Sequence, residues 1–357
     1  MQIPRDYTTA ARLEEEAVRS GKVTNTPSDH MVVAEYTNKE WRKARLQPYR
    51  PIPLAPFSLV LHYAQTVFEG MKAYRGTDGT IRVFRMQKHH ARLQKSLARM
   101  CMPELPLELF EAAISTLVSV DHGWVPNGPD SAYYLRPFVF ASEEHVGLKP
   151  ADQFMFMVLG APFRPLFKSR MSIKVEREYV RASPGGTGFA KCGGNYAAAL
   201  LPTKNAKDAG YEQVMWTDAL THTRIEESGA TNIAFVVKGA LVTPPLSDTI
   251  LDGVTRDSVI TLARTLNIDV HERAVMVDEL MDGIRSGDIT EAMGIGTAAS
   301  IATIGRIGID GEDYELPVGE NSVASLIRNT LNAIRFGESE DTFGWMTEIE
   351  KNTIPSY

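Results

Sequence analysis

Apolar positions along this chain follow two periods in irregular alternation. In MQKHHARLQKSLARMCM, beginning at Met86, Leu93, Leu97 and Met100 recur at helical spacing, and LELFEAAISTLVSVDHGW after Pro106 predicts a second helix. Strand patterns surround them. GMKAYRGTDGTIRVF (Gly70 to Phe84) predicts a hairpin, because two β-prone runs flank a turn containing Asp78-Gly79. SAYYLRPFVFA and QFMFMVLGA predict aromatic-rich strands. Ahead of these, residues 1 to about 55 are expected to be irregular. Pro48, Pro51, Pro53 and Pro56 punctuate the approach to a strand-like stretch from Ser58.

PFRPLFKSR has two prolines and little periodicity, and reads as a linker. Beyond it MSIKVEREYV alternates as a strand, and NYAAALLPTKNAKDAG predicts a helix ending at Gly210, kinked or split by Pro202. The short strands EQVMWT, NIAFVV and ALVTPP come next, then a helix from Thr255 to about Leu266. Strand IDVHERAV, helix VDELMDGIRS, strand ITEAMGIGT and a β stretch to about Tyr314 follow. ENSVASLIRNTLNAIRF, apolar at Val323, Leu326, Ile327, Leu331 and Ile334, predicts the last helix. Such irregular alternation makes the class α+β. The division expected is an N-terminal α/β domain over 1–162, a linker over 163–170 and a C-terminal domain over 171–357.

Composition narrows the function. A chain of 357 residues, 43% hydrophobic and 23% charged, has room for two ordinary globular domains. A net charge of −6 argues against nucleic acid or an anionic membrane as partner. Cys101 and Cys192 make no disulfide framework, which fits a reducing compartment. The N-terminal run has an acidic cluster and no apolar h-region, and no stretch approaches about 18 uninterrupted apolar residues, so a cytoplasmic protein without a membrane span is expected. His89-His90 is not expected to hold a metal, because neighbours on a helix diverge by about 100° and no ligand framework accompanies them. GIGTAA at Gly294 satisfies a dinucleotide fingerprint, but the β-branched, glycine-broken SIATIGRIGID after it cannot form the helix that such a site needs.

The chemistry centres on Lys191, framed by glycines in GGTGFAKCGGNYAAAL. Glycine lets backbone approach a bulky group closely, and lysine is the residue that forms imines with aldehyde cofactors. On its own the string reads more readily as a glycine-rich turn with an exposed lysine, and its company downstream reverses that. An imine enzyme using pyridoxal phosphate also needs an anion site, a carboxylate for the ring nitrogen and a donor to the phenolic oxygen. DGVTRDSVITLARTL offers a helix entrance at Val254 and Thr255 after Gly253, or a simple N-cap by Thr255 or Asp252. GIGTAAS presents Thr297 after a strand, and Arg92 is a candidate basic partner or a solvated helix arginine. Glu226 and Glu227 stand at the entrance of strand NIAFVV, where neighbours point to opposite sides, so one faces in while the other faces solvent.

Taken together, KCGGNYAAALLPTKNAKDAGYEQVMWTD, IEESGATNIAF, LVTPP, ILDGVTRDSVITLA and GTAA resemble the branched-chain aminotransferases, fold-type IV pyridoxal-phosphate enzymes. LHYAQTVFEGMKAYRG, FRMQKHHARL and YYLRPFVF resemble that family's N-terminal segments in the same order, so the likeness covers roughly residues 30 to 340. It implies a smaller N-terminal α/β domain, a larger C-terminal pseudo-barrel domain and a homodimer. It implies that Lys191 bonds the cofactor and moves the proton between substrate Cα and C4′, that Tyr196 meets the phenolic oxygen and that Glu227 meets the ring nitrogen. Arg92, the backbone at Val254 and Thr255, and Thr297 would hold the phosphate. Tyr63, Phe68, Tyr134 and Arg136 match the substrate pocket, with Arg136 accepting glutamate's side-chain carboxylate, and Ala298 and Ala299 would receive the α-carboxylate through their backbone. The substrates implied are branched-chain amino acids, glutamate and their 2-oxo acids.

The sequence departs from the family at three places. Ala230 stands where a threonine near the cofactor is usual, the strand before Thr297 reads MGIGT where a serine before the glycine is common, and Ala299 and Ala302 replace a cysteine pair, so no thiol switch is expected there. Cys192 reads as a small packing residue. The same fold serves D-amino-acid and R-amine transaminases and aminodeoxychorismate lyases, and a non-catalytic cofactor-binding homologue is a further alternative. The YLRP strand, GGNY and the LHY segment favour the L-branched-chain enzyme.

Overall fold

The computed structural model describes residues 1–8, 17–18, 24–128, 131–164, 170–317, 319 and 321–351. It divides into two compact units, Met1–Arg164 with Ala190–Gly193 and Ala333–Tyr357, and Pro165–Phe189 with Gly194–Asn332. Neither unit is continuous in sequence, because a four-residue piece carrying Lys191 and the C-terminal segment group with the first. Of the linker expected at 163–170, residues 165–169 lie outside the described residues.

The first unit holds β1 (His30–Thr37), β2 (Glu40–Trp41), β3 (Arg45–Pro48), α1 (Leu59–Tyr63), β4 (Thr66–Phe68), β5 (Met71–Arg75), β6 (Ile81–Phe84), α2 (Met86–Arg99), α3 (Leu107–Val120), β7 (Ala132–Ala141) and β8 (Phe154–Phe163). Its sheet runs from the strand Met346–Ile349 through β6, β5, β7, β8 and β1 to β2, with β3 on β1 and β4 on β7. Alternation along β7 gives two faces. Leu135, Val139 and Ala141 join Leu93 and Leu97 of α2 and Phe110, Ile114 and Leu117 of α3 in the core. Tyr134, Arg136 and Phe138 therefore line the other face. The register sets Lys72 of β5 opposite Tyr134, and so on that same face.

Two expectations are corrected here. Within residues 30–48 the chain is not irregular: β1 lies between β8 and β3 and is buried from His30 to Ala34. Its hairpin to β2 turns at Asn38 and Lys39, both with positive φ (56° and 64°), without the glycine that would have advertised the turn. The stretch from Ser58 opens with helix α1, ended by Ala64 at φ 50°, before the short strand β4. The hairpin β5–β6, helices α2 and α3 and strands β7 and β8 form where the sequence predicts them.

The second unit holds β9 (Met171–Glu176), α4 (Gly193–Ala198, whose first residue belongs to the other unit), α5 (Leu200–Asp208), β10 (Gln213–Thr217), β11 (Ile225–Ser228), β12 (Asn232–Val237), β13 (Ala240–Thr243), α6 (Val254–Thr265), β14 (Val270–Glu272), α7 (Val277–Ser286), β15 (Ile289–Gly296), β16 (Ser300–Ile309) and β17 (Glu312–Glu315). α8 (Val323–Arg335) follows, its last residues grouping with the first unit. The sheet order is β11-β10-β9-β16-β15-β12-β13-β14, with β17 on β16. β9 pairs in parallel with both β10 and β16, and β13 with β14, so the sheet is mixed. Ile173, Val175, Phe235, Ile289 and Ile304 pack with Leu280 of α7 as its core. The helix expected over residues 195–210 is split at Ala199, and Pro202 sits in the first turn of α5, where its missing N–H costs no helical bond. GIGTAA forms the β15–β16 hairpin: Gly296 pairs with Ser300, leaving Thr297, Ala298 and Ala299 at the tip.

Candidate active site

In the first unit, the backbone fixes Lys191 at both ends of its peptide. Its N–H donates to Ser96 Oγ at 2.9 Å, and its carbonyl accepts from Phe68 N at 3.0 Å. Cys192 next to it bridges Val67 and is buried in the core. The half-buried lysine therefore continues from a rigid strand edge rather than from a loose loop. Its Nζ lies 4.9 Å from the centroid of Phe68.

Phe68 also carries Arg136, whose Cζ is 4.7 Å from the ring centroid. Arg136 Nη2 donates to Tyr134 Oη at 3.2 Å, while its buried Nε has no hydrogen-bond partner among the described residues. A Cβ at Gly70 would stand 2.0 Å from Tyr134 Oη, so only glycine leaves room for that phenol. Phe68, Tyr134, Arg136 and Lys191 are thus brought together. Tyr63 is not among them: it is 41% exposed on α1, alongside exposed Phe57 and Leu61.

Arg92 is no solvated helix arginine. It is buried on α2, and Glu69, fully buried, receives its Nε at 2.8 Å and its Nη2 at 2.7 Å. His89 Nδ1 lies 2.8 Å from the same carboxylate. Burial alone would raise the Glu69 carboxyl. The Arg92 charge and the hydrogen bonds from Arg92 and His89 outweigh it and hold the group well below the usual carboxylate range. Neither Glu69 nor the role of His89 was found from sequence, since their partners lie 20 and 23 residues apart along the chain.

The second unit holds the acidic and anion-binding candidates. Glu226 and Glu227 are not at the entrance of β12 but form their own strand β11, and both are buried at 3% exposure, which corrects the expectation that one faces solvent. Glu227 Oε1 accepts from Leu251 N at 2.7 Å and from Asn232 Nδ2 at 3.3 Å, and Oε2 lies 3.0 Å from Arg181 Nε as an off-line ion pair. Arg181 Nη2 donates to the carbonyls of Gly188 and Thr249. Glu226 accepts from Thr249 Oγ1 at 2.7 Å, and burial pushes its carboxyl above the ordinary value despite Thr249 and Arg224.

Asn232 knits this region together, because it also donates to Leu251 O at 2.9 Å and its Oδ1 would stand 1.8 Å from a Cβ on Gly253. Gly253 is the extended residue before α6, and as a glycine it has no side chain with which to cap that helix. The N–H groups of Val254 and Thr255 at its first turn are therefore available to an anion. Thr297, Ala298 and Ala299 present backbone at the hairpin tip, with Thr297 half-buried. Tyr196 is half-buried on α4, just beyond Asn195, whose side chain clips back to Thr187 Oγ1 at 2.6 Å and Thr187 O at 2.8 Å. The first unit supplies the amine of Lys191 and the guanidinium of Arg92, and the second, taken by itself, supplies the carboxylate of Glu227, the phenol of Tyr196 and the N-terminus of α6, which are group types that a phosphorylated pyridine aldehyde requires. Among the described residues no group of three or more His, Cys, Asp or Glu side chains gathers to hold a metal.

A family model described as amino-transferase class IV matches residues 66–307, a span that contains Phe68, Arg92, Lys191, Glu227 and Thr297. A branched-chain-amino-acid aminotransferase of Mycobacterium tuberculosis is 43% identical over 90% of this chain and 90% of its own. That of Mycolicibacterium smegmatis is 40% identical over 97% and 99%. The crystal structure of a branched-chain aminotransferase from Thermoproteus uzoniensis with norvaline is 27% identical and superposes with a TM-score of 0.76, covering 89% of this chain and 99% of that one. With that span of sequence, and with an amine and a carboxylate each fixed by buried neighbours, the chain belongs to the class IV aminotransferases.

Proposed function

We propose that the protein is a branched-chain L-amino acid aminotransferase, moving the amino group of leucine, isoleucine or valine reversibly to 2-oxoglutarate by ping-pong kinetics. Enzymes of this class work with pyridoxal 5′-phosphate. When bound, that group supplies an aldehyde that takes up the amino group and an electron-poor ring that stabilises negative charge at the substrate carbon. The residues fit it. Lys191 would bond it and Tyr196 would donate to its phenolic oxygen. Glu227, held in place by Arg181, Asn232 and Leu251 N, would face its ring nitrogen. Arg92, Thr297 and the backbone N–H groups of Val254 and Thr255 would hold its phosphate.

The chain's own chemistry then follows. Lys191 Nζ would take the proton from the substrate Cα and give it back, as general base and then general acid. Ala298 and Ala299 orient the α-carboxylate through their backbone. The observation that carries the substrate reading is that the single ring of Phe68 touches both Lys191 and Arg136. An apolar wall accepts a branched side chain, and the guanidinium beside it pairs with glutamate's second carboxylate. The test is a substrate panel with absorbance. The yellow holoprotein should shift its spectrum with L-leucine and recover it with 2-oxoglutarate. Turnover of D-alanine but not L-leucine would assign it to a different activity of the same fold.

Arg136→Ala should lower kcat/KM for glutamate about 10- to 100-fold, and much less for leucine, because it deletes a charge-assisted contact that only the dicarboxylate makes. Equal losses would make Arg136 a structural residue. A cytoplasmic homodimer is part of the same proposal. Phe57, Leu61, Tyr63, Val146 and Leu148 are 41–82% exposed, and the strand contact Ser58–Glu144 with the bond from His145 N to Phe57 O brings their two segments together. An apolar cluster of that kind calls for a partner, and a second copy of this chain is the one proposed. Sedimentation of the holoprotein as a monomer at micromolar concentration would rule that out.

A further inference from the structure

Glu226 is a buried carboxyl that the mechanism above does not use. On an undisturbed strand it and Glu227 would point to opposite faces. β11 is disturbed at this point: Glu227 pairs with Trp216 and Ile225 with Thr217, so the register shifts and Glu226 has no residue of β10 opposite it. A bulge of this kind re-aims a side chain, and here both carboxyls grip one short segment. Glu226 Oε1 accepts from Thr249 Oγ1 at 2.7 Å, and Glu227 Oε1 accepts from Leu251 N at 2.7 Å. The carbonyl of the same Thr249 accepts from Arg181 Nη2, while Arg181 Nε lies 3.0 Å from Glu227 Oε2. Gly188 is packed against this segment so closely that a Cβ there would stand 2.7 Å from the Thr249 carbonyl oxygen. We propose that Glu226 is a positioning residue for the reaction: by holding Thr249 it fixes the carbonyl that orients Arg181, and so sets the Glu227 carboxylate where the ring nitrogen binds. This rests on the reading of Glu227 given above.

The role asks for an uncharged Glu226. Its Oε2 is buried without a hydrogen-bond partner among the described residues, a placement far less costly for a carboxylic acid than for an anion. Burial pushes the carboxyl above its ordinary value, against the Thr249 hydrogen bond and the charges of Arg224 and Arg181 and together with that of Asp218. Arg224 and Asp218 stand on the β10–β11 turn, Arg181 on the loop after β9, and Glu227 is the neighbour on β11. Arg224 Nη2 is 3.7 Å from Oε1 on a half-exposed side chain, where solvent screens it. An anionic Glu226 would compete with Glu227 for Arg181. A neutral one leaves that charge to Glu227 and still accepts from Thr249.

The test titrates the full-chain apoprotein calorimetrically with two probes that form no bond to Lys191: pyridoxamine 5′-phosphate, and its analogue with a ring C–H in place of the ring nitrogen. Glu226→Ala should weaken the first about three- to tenfold, the worth of one hydrogen bond, and leave the second nearly unchanged. Thr249→Val, which deletes the bridging hydroxyl, should do the same, and the double variant should lose no more than either single one. Glu226→Gln should bind both probes as the wild type does, because a carboxamide is neutral and still accepts from Thr249. No change or equal weakening of both probes in Glu226→Ala, additive losses in the double variant, or a Glu226→Gln protein as weak as Glu226→Ala would overturn the inference. The wild type separates the two readings. If it prefers the nitrogen-bearing probe, only the role of Glu226 falls with such results; if it binds both alike, the placement of Glu227 fails first.

Discussion

Lys191→Ala is expected to cut transamination by at least about 10³-fold while leaving the protein folded. Chemistry is lost because the amine that serves as base and covalent partner is removed. The fold is kept because what the first unit takes from this residue is mostly backbone: the N–H to Ser96 Oγ and the carbonyl from Phe68 N survive in alanine. The side chain's contact with the Phe68 ring contributes only about 0.5–1 kcal/mol at a half-exposed site. Thermal unfolding of the apoprotein should shift by no more than a few degrees, about what 1 kcal/mol does to a domain of this size. Single-turnover absorbance with leucine should register no exchange. Activity above a trace in this variant would place the catalytic amine elsewhere. Borohydride reduction of the wild-type holoprotein gives an independent check, since the label should reside on the tryptic peptide containing position 191.

Why some of this was legible in the sequence and some was not comes down to range. The β5–β6 turn declares itself in two adjacent residues, Asp78-Gly79, and Gly79 does adopt positive φ. The β1–β2 turn uses Asn38-Lys39 in the same left-handed region, where lysine pays a steric cost that glycine would not, so the local signal is weak. Helices α2, α6 and α7 follow from apolar spacing within a dozen residues. The site residues divide the same way. Lys191 stands out through its glycine frame, and the entrance to α6 through Gly253, whose absent Cβ makes room for Asn232.

Glu69 does not stand out at all. In VFEGMKAY it reads as one polar residue of an alternating strand, and only the packing of α2 on the sheet turns it into a buried anion with two partners. Arg181 and Asn232 escaped for the same reason. Both act through Glu227, which is 46 residues from one and five from the other, and no spacing rule predicts a carboxylate shared across a strand, a loop and a helix entrance. Buried ion pairs are a property of tertiary placement, so sequence patterns see the residues and miss the charge.

Glu69→Ala tests the largest of those unseen elements. It should cost the apoprotein about 3–5 kcal/mol of stability, the usual penalty for stripping one partner from a buried ion pair. Arg92 would be left with its charge buried and two donors unsatisfied, and His89 would lose the acceptor of its Nδ1. Urea unfolding measures this directly, and a loss below about 1 kcal/mol would show that the pair is not what holds Arg92. The pH dependence should change too. A carboxylate held below its unfolded value stabilises the protein fully above about pH 4.3 and loses that contribution as pH falls through its native range. His89 adds to the acid limb: burial lowers it more than Glu69 raises it, so unfolding takes up a proton that the native ring resists as pH falls below about 6.5. Deleting Glu69 should flatten the first of these slopes. It should also make stability depend on phosphate, because an anion bound at Arg92 would replace the missing carboxylate's charge. A larger gain in stability from inorganic phosphate in Glu69→Ala than in the wild type is the outcome expected if Arg92 faces the phosphate site. No recovery at phosphate concentrations that saturate the wild type would remove Arg92 from it.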